Sequence, residues 1–137
     1  MTAPTTLWKG VYPAATTQFA EDHSIDLDAT QRMQTALVDD GVDGLILLGT
    51  CGENNSLTAQ EKRTVLSGAV EALKGRAPLV AGVSEFTTSA AIDYVRDAEK
   101  IGVDALMVLP AMVYVPKPEE LAAHFRAVAQ ATSLPIM

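Results

Sequence analysis

GVDGLILL, residues 41–48, returns almost unchanged as GVDALMVL at residues 102–109. Each copy holds a glycine able to end a helix, then a Val-Asp turn, then a short apolar run. Runs apolar on both faces suit a parallel sheet, with helices covering one side and core filling the other. The offset of 61 residues between Gly41 and Gly102 matches two strand–helix units of roughly 30 residues each, the length of a βαβ repeat. The echo predicts a repeating parallel (β/α) architecture. Open doubly wound sheets and closed barrels are both built from such units.

Working outward, the remaining segments fall into the same alternation. GVYPAATT (10–17) reads as a first strand. From Asp26 to Asp40, apolar residues at Leu27, Ala29, Met33, Ala36 and Leu37 keep near-helical spacing and stop at Gly41. Gly44–Leu48 is the second strand. Thr58-Ala-Gln-Glu61 is a capping box, in which each side chain satisfies the other residue's free N–H. That helix is expected to run to about Lys74 and end at Gly75. PLVAGVS (78–84) is the third strand, Ser89–Ile101 the third helix, and Ala105–Leu109 the fourth strand. Pro118 suits the first turn of a fourth helix, where Glu119 and Glu120 favour the dipole. LPIM (134–137) opens a fifth strand.

Five strands would suit a flavodoxin-like sheet, but no fifth helix follows, and a complete eight-unit barrel needs ~250 residues. The expectation is therefore a parallel (β/α)8, or TIM, barrel. Residues 1–137 would be the N-terminal half of that single domain: four βα units and the start of strand five.

Composition narrows the function classes. Hydrophobic residues at 48% with 20% charged are ordinary for a globular domain. A net charge of −7 with ten scattered basic residues argues against nucleic acid, because neutralising phosphates needs clustered Lys and Arg. The single cysteine, Cys51, excludes an internal disulfide. No apolar stretch approaches the ~20 residues of a membrane span, and the N-terminal residues lack a leader's basic and apolar regions. A cytoplasmic protein without a membrane partner is expected.

The candidate site is the loop after the second strand, LILLGTCGENNSL (45–57). A nucleophile elbow would place glycines two residues either side of Cys51, but Glu53 stands where the second belongs. A cysteine nucleophile also needs a basic partner, and only His23 and His124 are available. A phosphate loop needs more glycine and a following lysine. Two readings remain: a tight strand-to-helix turn holding a buried structural thiol, and a small-anion site. Position favours the second. Barrel active sites lie at the C-terminal ends of strands, and there Gly49, Thr50, Cys51, Gly52 and Glu53 offer a hydroxyl and consecutive backbone N–H groups to a carboxylate.

Thr17-Gln18-Phe19, GLILLGTCGENNSLTAQEK (44–62), VAGVS (80–84), ALMVLP (105–110) and HFRAVAQATSLPI (124–136) together resemble the dihydrodipicolinate synthase and N-acetylneuraminate lyase family. The resemblance covers nearly the whole chain. It implies a (β/α)8 barrel that processes pyruvate or another 2-oxo acid through a Schiff base on a strand-six lysine. It also implies no cofactor, no metal, and a homo-oligomer, dimer or tetramer. Thr50 and Cys51 would fill the places of two hydroxyl residues that hold the substrate carboxylate. Alternative activities under the same resemblance are 4-hydroxy-tetrahydrodipicolinate synthase and a 2-keto-3-deoxy sugar acid aldolase or dehydratase. A non-catalytic half-barrel is a reading from another class.

Departures from the family pattern bear on the choice. Cys51 is a weak donor where a hydroxyl is usual. Paired tyrosines after the fourth strand are replaced by Ala111 and Met112, leaving Tyr114 as a displaced candidate at that strand's end. Gln18 stands for a proline. These favour a Schiff-base lyase over the synthase. Lys9, Lys62, Lys74, Lys100 and Lys117 are assigned to helices, loops or strand entries, none with the desolvated setting that imine chemistry requires. The family's strand-five tyrosine would fall about two residues beyond Met137 by the repeat spacing. Glu53 is read chiefly as loop or helix support, His124 as a surface or packing residue, and Trp8 and Met33 as packing. His23, with Glu21 and Asp22, is too thin a cluster for a metal.

Overall fold

Three parallel strands in sequence order form the sheet of the computed structural model, which describes residues 9–110 and 113–137. The order of elements is α1 (Leu27–Asp39), β1 (Leu45–Leu47), α2 (Ala59–Leu73), β2 (Leu79–Val83), α3 (Thr88–Ile101), β3 (Ala105–Val108) and α4 (Pro118–Gln130). One turn of 3₁₀ helix, Asn54–Ser56, lies between β1 and α2.

The expected first and fifth strands are present only as single parallel bridges, Ala14 to Ile46 and Leu106 to Ile136. Pro13 and Pro135 explain why. Each can only accept at its position: Ile46 N donates to Pro13 O and Leu106 N to Pro135 O, both at 3.0 Å. The lateral order is thus residue 14, β1, β2, β3, residue 136, each segment beside its neighbour in sequence. A doubly wound sheet reverses its strand order at a switch point. No reversal occurs here, and the order is that of consecutive barrel strands.

The helices begin where local chemistry dictates. Asp26 accepts from Ala29 N at 2.8 Å, and Thr87 from Ala90 N at 3.1 Å. The Thr58–Glu61 box is made in both directions. Pro118 opens α4, and Glu120 accepts from Lys117 N at 2.8 Å. Gly41 and Gly102, the echoed glycines, both take left-handed backbone, at φ 91° and 103°. The echoed aspartates also share a task. Asp43 Oδ2 accepts from Val11 N at 2.7 Å, and Asp104 Oδ2 from Leu79 N at 2.8 Å. Each carboxylate holds the first N–H of the preceding strand segment.

The two faces of the sheet pack differently. Leu45, Leu47, Leu79, Ala81, Val83, Leu106 and Val108 join the main core beneath the helices, with Leu66, Val95 and Val128. Burial of each large side chain there contributes about 1.5–3 kcal/mol. Met33 packs against this core as expected; Trp8 lies outside the described residues. The opposite face gathers Val80 and Ala105 with Tyr12, Ile46 and Met107. In barrel order, that second face is the interior.

Candidate functional site

At the C-terminal end of β1 the backbone turns sharply. Leu48 adopts φ 54°, a left-handed conformation that L-residues rarely take, and so ends the strand at Leu47, two residues before Gly49. The loop then folds back: Glu53 N donates to Thr50 O at 3.1 Å and Asn54 N to Gly49 O at 3.4 Å. Gly52 permits this return, because a β-carbon there would lie 2.7 Å from Leu48 N and 3.1 Å from Ala15 O. Thr17 fastens the turn from the first strand segment, its hydroxyl donating to Gly52 O at 2.8 Å.

Thr50 and Cys51 are exposed at the tip. Among the described residues, the amides of Thr50, Cys51 and Gly52 donate to no protein group. Thr50 and Cys51 thus present their side chains to solvent, while Gly52 is buried. The alternative of a buried structural thiol does not survive, since the Cys51 thiol is exposed. Glu53 is also exposed and helps the loop only through its backbone, at φ 60°. Glu61, not Glu53, caps α2.

Beside the tip lies a cavity of about 180 Å³ lined by Thr50, Glu53, Asn54, Asn55, Ser56 and Ser84. That is smaller than the ~300–1,000 Å³ of sites for drug-sized ligands. Asn54 is its buried hub. Its side-chain amide donates to Gly82 O at 3.1 Å and accepts from Lys62 Nζ at 3.1 Å. Lys62 Nζ also meets Glu85 Oε1 at 2.6 Å, and stands 5.7 Å from the centre of the Tyr94 ring.

This placement corrects the reading of the lysines. Lys62, in the first turn of α2, is buried, at 5% exposure, between Asn54 and Glu85 of the neighbouring connections. Its ammonium is nonetheless committed to a carboxylate and an amide, and it does not line the Thr50 cavity. Burial pushes the neighbouring Tyr94 phenol well above its ordinary range, with the Glu85 charge adding to the effect. Its hydroxyl has no partner.

The other predicted residues lie apart from the loop. Tyr114 is 59% exposed and borders a different cavity, with Phe86, Thr87, Thr88, Pro110 and His124. Ala111 and Met112 lie outside the described residues. His124 is half-buried packing, its Nδ1 3.0 Å from Thr88 Oγ1 and its ring edge-on to Phe125. His23 sits in a turn at φ 68°. Among the described residues no three His, Cys, Asp or Glu side chains converge as a metal site. No helix among them is long and apolar enough to cross a membrane.

Sequence reading missed Thr17, Asn54 and Ser84. Thr17 had a signal, since it ends the first strand segment. Ser84 follows β2, is 6% exposed, and leaves its hydroxyl unpartnered. Burying an unsatisfied hydroxyl costs roughly 1–3 kcal/mol.

Comparison with known proteins supplies a frame for this geometry. The model of the Dihydrodipicolinate synthetase family matches residues 7–137. The chain is 40% identical over 130 residues to a 4-hydroxy-tetrahydrodipicolinate synthase of Moorella thermoacetica, covering 95% of this chain and 44% of that protein. It is 42% identical over 127 residues to the enzyme of that name from Acidothermus cellulolyticus, covering 93% and 41%. A prophage protein of the dihydrodipicolinic acid synthase family from E. coli K12, solved with pyruvate, superposes with a TM-score of 0.92 at 28% identity, covering 96% and 44%. N-acetylneuraminate lyase from Mycoplasma synoviae shares the fold at a TM-score of 0.92 and 23% identity, covering 98% and 47%. The chain thus spans less than half the length of the relatives it matches. Its parallel α/β fold is that of a partial TIM barrel.

Proposed function

The chain belongs to the dihydrodipicolinate synthetase family, and from that premise we propose that the polypeptide containing it is a Schiff-base-forming lyase or aldolase acting on pyruvate or another 2-oxo acid. The observation that carries this reading is the Thr50–Gly52 tip, an exposed hydroxyl followed by unpaired amides at the end of a parallel strand. Such a tip binds a carboxylate through several donors without needing a fixed cation. A 2-oxo acid held there presents its ketone toward the barrel mouth. An amine condensing with that ketone releases water and leaves an imine able to accept electrons from a neighbouring bond.

None of the five lysines is placed to do this. Lys62 is engaged with Glu85, Lys74 caps α2, Lys117 precedes α4, and Lys9 and Lys100 are exposed. The amine is therefore assigned to a lysine beyond these 137 residues, in the remainder of a barrel of which they form the N-terminal half. The assembly is proposed to be a homo-oligomer, and the location cytoplasmic.

The test is reductive trapping. The gene-encoded polypeptide is incubated with pyruvate and borohydride and then weighed and mapped by mass spectrometry. One stable adduct is expected, on a lysine outside residues 1–137, with none on a polypeptide restricted to those residues. A stoichiometric adduct on Lys9, Lys62, Lys74, Lys100 or Lys117 would overturn the assignment.

A second reading, 4-hydroxy-tetrahydrodipicolinate synthase, is favoured by the names of the relatives 40–42% identical to this chain. The thiol of Cys51, a weak donor in a place where that resemblance implies a hydroxyl, weighs toward other 2-oxo acid chemistry. A 2-keto-3-deoxy sugar acid aldolase or dehydratase falls within that range.

A further inference from the structure

Ser84 stands at the level of the Thr50 loop on the barrel-interior side of the sheet. The pairing register runs Leu45 to Leu79, Ile46 to Val80 and Leu47 to Ala81. The ladder ends at Leu47, where Leu48 turns left-handed, and the loop folds over β2 so that Thr50 and Ser84 line the same cavity. Side chains alternate along a strand. Val80 belongs to the interior cluster and Val83 to the helix-side core, so Ser84 falls on the face of Val80 and Gly82. Its hydroxyl is closed to solvent and has no protein partner.

We propose that Ser84 is a substrate-contact residue, its hydroxyl donating to a carboxylate oxygen of a small 2-oxo acid held at the Thr50 loop. This inference rests on the oxo-acid reading of that loop. Rotation about the single Cα–Cβ bond carries the serine Oγ from its enclosed position into the cavity. A ligand oxygen then supplies the hydrogen bond that the free protein lacks. With the thiol of Cys51 a weak donor, Ser84 provides the second hydroxyl beside Thr50. The cavity's small volume suits the carboxylate end of a small ligand and leaves no room for a bulky group.

The test compares the gene-encoded polypeptide with its Ser84→Ala and Ser84→Cys variants. Pyruvate affinity is measured by calorimetry, thermal midpoint without ligand by scanning, and the imine by borohydride trapping. Ser84→Ala is expected to weaken pyruvate binding about tenfold while leaving the ligand-free midpoint unchanged or raised, because an unsatisfied buried hydroxyl has been removed. Ser84→Cys keeps the bulk with a poor donor and is expected to weaken binding similarly. Pyruvate affinity within about twofold of the parent in Ser84→Ala would overturn the proposal, as would a lowered midpoint without a change in affinity. So would a parent protein that binds no pyruvate. A parent that binds pyruvate but gives no trapped adduct would remove the imine reading alone, and the affinities of the variants would still decide the role of Ser84.

Discussion

The carbonyl oxygen of Leu48 occupies the space that a β-carbon on Gly82 would need. The left-handed turn at Leu48 throws the loop across β2, and only a residue without a side chain lets it pass. Gly82 O, in turn, accepts from the Asn54 amide. Gly82→Ala is expected to push the Gly49–Thr50 backbone off the sheet and to destabilise the fold by about 1–3 kcal/mol. Urea unfolding and a pyruvate titration of the variant check both effects. An alanine variant equal to the parent in each would show that the loop does not depend on this crossing.

Lys62 and Glu85 form a largely enclosed pair at 2.6 Å, with side-chain exposures of 6% and 17%. Removing one partner strands the other charge, so Lys62→Met is expected to cost about 3–5 kcal/mol. Replacing both, Lys62→Met with Glu85→Gln, should cost less than the single change. Chemical denaturation of the two variants provides the comparison, and equal losses would mean that the pair is not coupled.

Cys51 is expected to line the site without attacking. It is exposed at the loop tip, and the cavity beside that tip is lined by no basic side chain. Cys51→Ser should therefore retain a substantial part of turnover in the complete barrel. Thr50→Val, which removes a donor, should weaken pyruvate binding by about tenfold. Loss of all turnover in Cys51→Ser, with a trapped thioester in the parent, would restore the nucleophile reading.

The acid limb of stability should report Asp97. Its hydrogen bond from Arg63, at 2.6 Å, holds the carboxyl below its ordinary range, with Lys100 contributing. The folded-state pKa lies below the unfolded value of about 3.9. The contribution is therefore complete above that pH and is lost as pH falls through the folded value. Asp97→Asn should flatten the fall of stability below about pH 4, read from thermal midpoints across the acid range. An unchanged acid slope would show that the contact is screened away in solution.

Much of the fold was legible because its signals are local. The Thr58–Glu61 box spans four consecutive residues, the left-handed Gly41 and Gly102 mark helix ends, and the apolar runs at Leu45, Leu79 and Ala105 all became strands. The Gly49–Gly52 loop could be placed because a strand's C-terminal end is known once the strand is known. Ladder length was harder: the outer segments carry Pro13 and Pro135 and form single bridges.

What the sequence by itself determined, then, is the parallel βα alternation, the helix caps and the position of the Gly49–Glu53 loop at a strand's end, all set by neighbours a few residues apart. Only the tertiary structure decided which polar groups face what. Lys62 reads as an ordinary helix lysine until the connection after β2 brings Glu85 to it. Ser84 reads as a strand-end serine until the loop after β1 folds over β2 and sets both Ser84 and Thr50 around one cavity. Leu48 reads as one more strand leucine until the crossing over Gly82 turns its backbone left-handed. Burial and partnership depend on segments that meet only in the folded chain, and no local pattern encodes those meetings.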